Sequence, residues 1–453
     1  MLIELRTIIV GCTHAGTAAV TEMLARDPQA EVDVYERRND ISFLSCGIYL
    51  YLENQVDISD VFYSSAKELE ALGPNVHVHL QHDVTRVDTK AKFVEVQNLA
   101  NGEMTRVPYD KLLMTTGSRP ALPTIEGVEL PHVKLCKNYD DALDIQREVG
   151  MAKRMVIVGG GYIGTEIAEA VSKRGLDVTL VNGFRPMLSH YVDTAISDQI
   201  KATLAENGVQ IRENEVCTGF KQGADGLIVI TNLDEITVDF AVICVGFSPV
   251  TELVNHQVAL DSNNAILVNE YMQTSQPDVY AAGDSAAVHY NPTGEAVYAP
   301  LATNAVRMGK IAGANIVTPK RMRYMGTQAT NALSIFGRTL ACTGLTARKA
   351  KEKFPNAATV YVTQNYRPDF MPTNAKLHMV LVYNRDNRQI LGAQFYSEYD
   401  VSMCANLISV MIQNKNTIDD LSYVDMLFNP TYNQPWHYLN LLGQVAVAKA
   451  DEA

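Results

Sequence analysis

The sequence predicts an α/β protein: two Rossmann-like dinucleotide-binding units followed by a C-terminal α+β domain. Three observations carry the prediction. A β-branched strand that runs into a glycine turn and an alanine-bearing helix occurs twice, at "RTIIVGCTHAGTAAVTEML" and at "KRMVIVGGGYIGTEIAEAVSKRG". Each is followed by an apolar strand ending in glycine and proline, "YDKLLMTTGSRP" and "VDFAVICVGFSP". From Gly326 onward the pattern changes to alternating strands such as "LHMVLVY" and "ILGAQFYS", with helices after them.

The first turn reads G-x-T-x-x-G, with Gly11, Thr13 and Gly16. In the full G-x-G-x-x-G motif the middle glycine lets backbone approach a pyrophosphate. Thr13 is small, and its hydroxyl can add a hydrogen bond. The next strand, "EVDVYE", ends in Glu36, where an acid can hold a ribose 2′-hydroxyl. The second turn carries the whole motif at Gly159, Gly161 and Gly164, followed by "DVTLV" and Asn182. A third strand end, "QPDVYAAGDSAAV", sets Gly283-Asp284 at an expected helix start, where Asp284 would accept hydroxyls beside phosphate-binding N–H groups.

At 453 residues the chain is too long for one core. Its 47% hydrophobic and 20% charged residues are ordinary for a globular protein in water. A net charge of −13 gives no general attraction to nucleic acid or anionic membranes, so neither is expected as a partner. The start, "MLIELRTIIVGC", reads as a strand without a secretory cleavage site, and no apolar run reaches the ~18 to 20 residues of a membrane helix. Seven scattered cysteines suit a reducing cytoplasm better than a disulfide framework. His77 and His79 in "HVHLQH" share a strand face but lack a third ligand at fixed spacing, so no metal is expected. "KAKEKF", from Lys349, reads as a solvated helix face.

"ISFLSCGIYLYL" sets a single cysteine, Cys46, in an apolar stretch. The run after it looks helical, which would place the sulfur near a helix N-terminus and favour thiolate.

These features together resemble the pyridine-nucleotide–disulfide oxidoreductases, in particular their single-cysteine branch of water-forming NADH oxidases, NADH peroxidases and coenzyme A disulfide reductases. The resemblance covers essentially the whole chain. It implies a glutathione-reductase-like fold with a discontinuous FAD domain (residues 1–118 and 247–325), an NAD(P)H domain (119–246) and a C-terminal dimerisation domain (326–453) that makes a homodimer. It implies FAD at Gly11, Thr13, Gly16, Glu36 and Asp284, and the nicotinamide cofactor at Gly159, Gly161 and Gly164. Tyr162 would cover the flavin where nicotinamide must stack, and Glu166 would orient the nicotinamide amide. His14 would lie close to Cys46.

Where the disulfide reductases carry a second cysteine, this chain has Tyr51, so no disulfide can form within the segment. Their H-P-T-x-x-E frame survives as "NPTYNQ", with Asn429 for His and Gln434 for Glu. One thiol can still cycle to sulfenic acid. The resemblance of the "GCTHAGT" turn and the "SFLSCGI" segment implies four-electron reduction of O₂ to water, with Cys46 reducing the peroxide formed on the way. Asn182 replaces the acid usual in NAD-selective sites, and Arg185 lies close by, so NADH is expected with NADPH also accepted. The rival readings are an NADH peroxidase using H₂O₂, a coenzyme A disulfide reductase and, in another class, a partner-binding flavoprotein.

Overall fold

The computed structural model describes residues 5–452. Met1 to Glu4, which the sequence reading put at the head of the first strand, lie outside the described residues, as does Ala453.

Strand Arg6–Val10 begins a five-stranded parallel sheet in the order Val279–Ala281, Lys111–Met114, Arg6–Val10, Glu31–Glu36, Val76–Leu80. Central parallel strands are covered on both faces, which is why "RTIIV" is apolar almost throughout. Ile8 and Ile9 are fully buried; each such side chain contributes roughly 1.5–3 kcal/mol relative to exposure. Helix His14–Arg26 covers one face and crosses helix Ala302–Val317 closely. Small residues make the crossing possible: a Cβ on Gly309 would stand 2.2 Å from the Ala15 carbonyl oxygen.

The arrangement repeats. A second parallel sheet runs Gln210–Glu213, Asp177–Asn182, Arg154–Val158, Phe240–Ile243, Val133–Leu135. Each parallel sheet is accompanied by a three-stranded antiparallel one, His82–Asp88 to Met104–Pro108 in the first case and Cys217–Gly223 to Glu235–Val238 in the second. The chain leaves the first unit through Ser118–Pro120 and returns through Phe247–Pro249, and these segments pair antiparallel as a short ribbon.

The last unit is a five-stranded antiparallel sheet from Asn331–Ile335 to Ala357–Asn365, backed by helices Ser402–Gln413, Ile418–Tyr423 and Tyr438–Asp451. It docks on the second unit through polar contacts. Asp193 and Gln394 exchange two hydrogen bonds of 2.7 Å, and the Tyr396 hydroxyl meets that of Thr203 at 2.8 Å. Among the described residues no helix is long and apolar enough to cross a membrane.

Candidate active site

Both glycine turns open onto one cleft of about 1280 Å³. Gly11 and Gly159 have φ of +91° and +114°, a region L side chains avoid. A Cβ on either would also meet neighbouring backbone, 2.6 Å from the Thr115 oxygen or 2.4 Å from the Cys244 oxygen. Gly16 and Gly164 are tight for a different reason: their Cβ atoms would strike the carbonyls of Gly11 and Gly159, so they permit helix-on-strand packing. Gly161 differs from all four, because a Cβ there would meet nothing within 4 Å. Its open face is toward the cleft, where a ligand can approach. At the matching place in the first turn Thr13 is exposed, and its hydroxyl is not spent on capping the helix it precedes.

Glu36 is buried at that strand end. Its two carboxylate oxygens accept the backbone N–H groups of Cys12 and Arg38, each at 2.9 Å. These bonds fix the carboxylate at the cleft wall and leave further lone pairs for a hydroxyl.

The Gly283-Asp284 expectation needs correction. No helix starts there; Gly283–Ser285 is a single 3₁₀ turn that passes into strand Ala286–Tyr290. Gly283, with φ of +77°, turns the chain into that strand. Asp284 still faces the cleft, where it accepts the Ser118 hydroxyl at 2.7 Å and the Lys137 ammonium at 3.2 Å. Lys137 was missed in the sequence. It follows the short strand Val133–Leu135 and belongs to no motif, yet it lines the cleft beside Asp284.

His14 opens the first helix and stacks on Tyr63, ring centroids 5.3 Å apart. Its Nε2 is buried without a hydrogen-bond partner. Burial lowers its pKa, opposed by Asp284 and aided by Lys137, so the ring is neutral at neutral pH.

Cys46 lines the same cleft. The expected helix start is again only a 3₁₀ turn, Ser45–Gly47, followed by one turn of helix, Ile48–Leu52. So short a helix lends little dipole. Cys46 is exposed at the cleft wall, yet the surrounding walls desolvate its sulfur enough to raise the thiol pKa; Glu166 and Asp284 add to the rise, and Lys137 opposes it. The thiolate is therefore not favoured in the way the sequence suggested.

Glu166 lies on helix Tyr162–Ser172, against which the short Ile48–Leu52 helix packs. Burial, with Glu169 nearby, pushes its carboxyl from 4.5 up to about 8. Unfolded chain loses this proton near 4.5 and folded protein keeps it to about 8, so stability falls as pH rises through that window. Glu166→Gln is expected to flatten the fall, read as the urea midpoint against pH. An unchanged slope would exclude Glu166 as its source.

Tyr162, the first residue of that helix, stacks on Tyr191 at 4.1 Å between centroids. Its hydroxyl donates to the Asn331 amide oxygen and approaches the Cys342 sulfur at 3.8 Å. Neither Tyr191 nor Asn331 was singled out in the sequence, since both reach Tyr162 from elements distant along the chain. Asn182 accepts the Gly160 N–H at 3.2 Å and donates to the Arg185 carbonyl at 2.6 Å, tying the glycine turn to the following loop.

Two other sequence features lie outside the cleft. Asn429 organises a surface turn, accepting the Thr431 N–H at 2.9 Å, and neither it nor Gln434 lines the cleft. His79 is held by Asp33 at 2.8 Å and stacks on Tyr35, a structural use of the histidine strand.

Two facing glycine turns, an anchored acid and a lone thiol in one cleft define a dinucleotide-dependent redox protein. The chain belongs to the pyridine nucleotide-disulphide oxidoreductases: that family model matches residues 5–309, and the family's dimerisation-domain model matches residues 330–438. It is an oxidoreductase, and the family's cofactors are FAD and a pyridine nucleotide. An NADH oxidase of Enterococcus faecalis is 45% identical over 98% of this chain and 99% of its own length. The water-forming NADH oxidase of Lactobacillus brevis, solved with NADH bound, superposes with a TM-score of 0.97 at 46% identity, over 99% of each chain. An engineered water-forming NADPH oxidase derived from that enzyme, bound to NADPH, gives 0.96 at 46% identity over the same share of each chain.

Proposed function

We propose that the protein is a water-forming NAD(P)H oxidase in which Cys46 is the peroxide-reducing centre. The observation that carries the proposal is the single thiol in the cleft shared by both glycine turns, with no second cysteine in its segment. Full-length similarity to the E. faecalis and L. brevis oxidases supports it.

The residues fit FAD on the first unit. The Gly11–Thr13 stretch of the first turn lines the cleft, Thr13 offers an uncommitted hydroxyl, Glu36 is anchored for a ribose, and Asp284 sits at the adjoining strand end. FAD, when bound, supplies the two-electron link between the nicotinamide and oxygen. Gly159, Gly161 and Gly164 shape the second turn for the pyridine nucleotide. Tyr162, stacked on Tyr191, covers the entry of the nicotinamide ring, and the neutral carboxyl of Glu166 can donate to its amide oxygen.

The overall balance is two NADH, two protons and one O₂ giving two NAD⁺ and two waters. The first NADH converts O₂ to H₂O₂. The Cys46 sulfur then attacks one peroxide oxygen, the O–O bond breaks, and the second oxygen leaves as water with the thiol proton. His14 Nε2, free of protein partners, can hold that proton in transit. The second NADH reduces the sulfenic acid back to thiol and releases the second water. One cysteine is enough, and a neighbouring thiol would intercept the sulfenic acid as a disulfide.

Oxygen uptake against NADH consumed, with catalase added at the end, tests the reading. One O₂ per two NADH with no oxygen returned is expected. NADH consumption only on addition of H₂O₂ would make the protein a peroxidase instead.

NADPH is read as a second donor because Asn182 puts no carboxylate against a 2′-phosphate. Asn182→Asp should lower kcat/KM for NADPH relative to NADH about tenfold. An unchanged ratio in steady-state kinetics would remove Asn182 from cofactor choice. The C-terminal unit exposes Met403, Leu427 and Trp436, each more than half accessible, which supports a homodimer through this face. Sedimentation at the monomer mass would refute it. All seven cysteines are free thiols, which suits the cytoplasm.

A further inference from the structure

The cleft ends at a corner where cations from two units gather. Arg185 and His190 line it on the loop that follows Asn182. Behind them stands helix Ala347–Lys353 of the C-terminal unit, whose Lys349 ammonium donates to the His190 carbonyl at 3.1 Å. Among the described residues neither Arg185 nor Lys349 has a carboxylate within ion-pair distance, whereas Arg348 is paired with Glu352 at 2.6 Å. In a chain of net charge −13, three cations with one acid between them are a local exception.

We infer that Lys349, which reaches across from the C-terminal unit to His190 at the back of the cleft wall, and its chain neighbour Arg348 join Arg185 to form the site for the 2′-phosphate of NADPH. The inference rests on the oxidase reading above and names residues for its second donor. Position supports it first. The loop starts at the strand end where the adenosine ribose of a bound dinucleotide lies, and Asn182 there carries no charge. Electrostatics support it second. Burial lowers the pKa of Lys349, Arg348 lowers it further, Glu352 opposes, and Arg185 adds a smaller fall. His190 is lowered by burial and then by Lys349, Arg185 and Arg348, with no acid among the causes. The groups repel one another, and a phosphate dianion relieves that repulsion with charge-assisted hydrogen bonds. The ligand class is an adenosine bearing a phosphomonoester on its ribose. A free phosphate or an unphosphorylated nucleotide satisfies only part of the site.

The test uses FAD-loaded full-length protein. Titration calorimetry compares adenosine 2′,5′-bisphosphate with adenosine 5′-monophosphate, in the parent and in Arg348→Ala/Lys349→Ala. The extra phosphate should tighten binding to the parent by about tenfold or more, and most of that gain should vanish in the double variant. The NADPH-to-NADH ratio of kcat/KM should fall by about the same factor, carried in KM. Lys349→Arg, which keeps the charge, should restore most of the loss and guards against a folding defect. Equal binding of the two nucleotides by the parent, or an unchanged ratio in the double variant, would overturn the inference. Inorganic phosphate competing equally against both nucleotides would also overturn it, by showing a general anion site. Selective bisphosphate binding without any NADH oxidation would leave this inference standing and remove the oxidase reading.

Discussion

Cys46→Ser should make H₂O₂, rather than the water proposed for the parent, the product of NADH oxidation. NADH is still consumed with O₂, but H₂O₂ accumulates toward one per NADH instead of near none. The reason lies in the sulfur. A thiol attacks the peroxide O–O bond and holds the transferred oxygen as a sulfenic acid that hydride-derived electrons can remove. A serine hydroxyl is a far poorer nucleophile at neutral pH and has no such oxidation state. The pKa of Cys46 is raised, so the chemistry does not rest on a pre-formed thiolate. In the mechanism proposed above, the thiol proton is lost as the peroxide bond breaks, with His14 Nε2 as the proposed acceptor. Peroxide attack by the parent should accordingly quicken as pH rises toward the thiol pKa. Catalase-released oxygen measures the product, and a sulfenic-acid trap on the parent should label Cys46 alone. Water as sole product from the serine variant would exclude this mechanism.

Gly11→Ala should yield protein largely free of flavin, with a lowered Tm. The methyl group meets two obstacles at once. At φ of +91° an L residue costs roughly 1–3 kcal/mol. Its Cβ would also stand 2.6 Å from the Thr115 carbonyl oxygen, a backbone atom just past the adjacent strand that cannot swing away as a side chain could. The turn must therefore open, which disturbs the Cys12 N–H that holds Glu36. Gly161→Ala is the control. Its Cβ meets no protein atom, so the fold should keep its parental Tm while the pyridine nucleotide binds more weakly. Flavin content per chain and thermal unfolding separate the two. Full flavin loading in Gly11→Ala would contradict the steric argument.

The contrast shows how far the sequence could be read. The strand–glycine–helix pattern is local, so both turns, the repeated units and the acid at Glu36 were legible from residue order alone. Cys46 was legible as the only candidate for redox chemistry. Its electrostatics were not, because they depend on Glu166 from another unit and on Lys137, which carries no motif. Tyr162 stood inside a recognisable turn, but Tyr191 reaches it from a loop of the same unit that carries no motif, and Asn331 only by docking of the C-terminal sheet. The helix expected at Asp284 failed because glycine followed by aspartate is equally at home in a tight turn between strands. "KAKEKF" looked like ordinary solvated surface, since nothing in its own sequence says that Lys349 meets the His190 carbonyl.

The paired segments Ser118–Pro120 and Phe247–Pro249 make the chain's exit from the first unit and its return a single structural seam. A gene cut at these two points would release the intervening stretch with its ends already side by side. That stretch can then be transplanted as a cassette, provided the recipient matches Asp193 to Gln394 and Thr203 to Tyr396. Recombination at the ribbon would thus exchange the second glycine turn, Asn182 and Arg185 in one piece, while Arg348 and Lys349 stay behind and Lys137 and Glu166 beside the thiol travel with it.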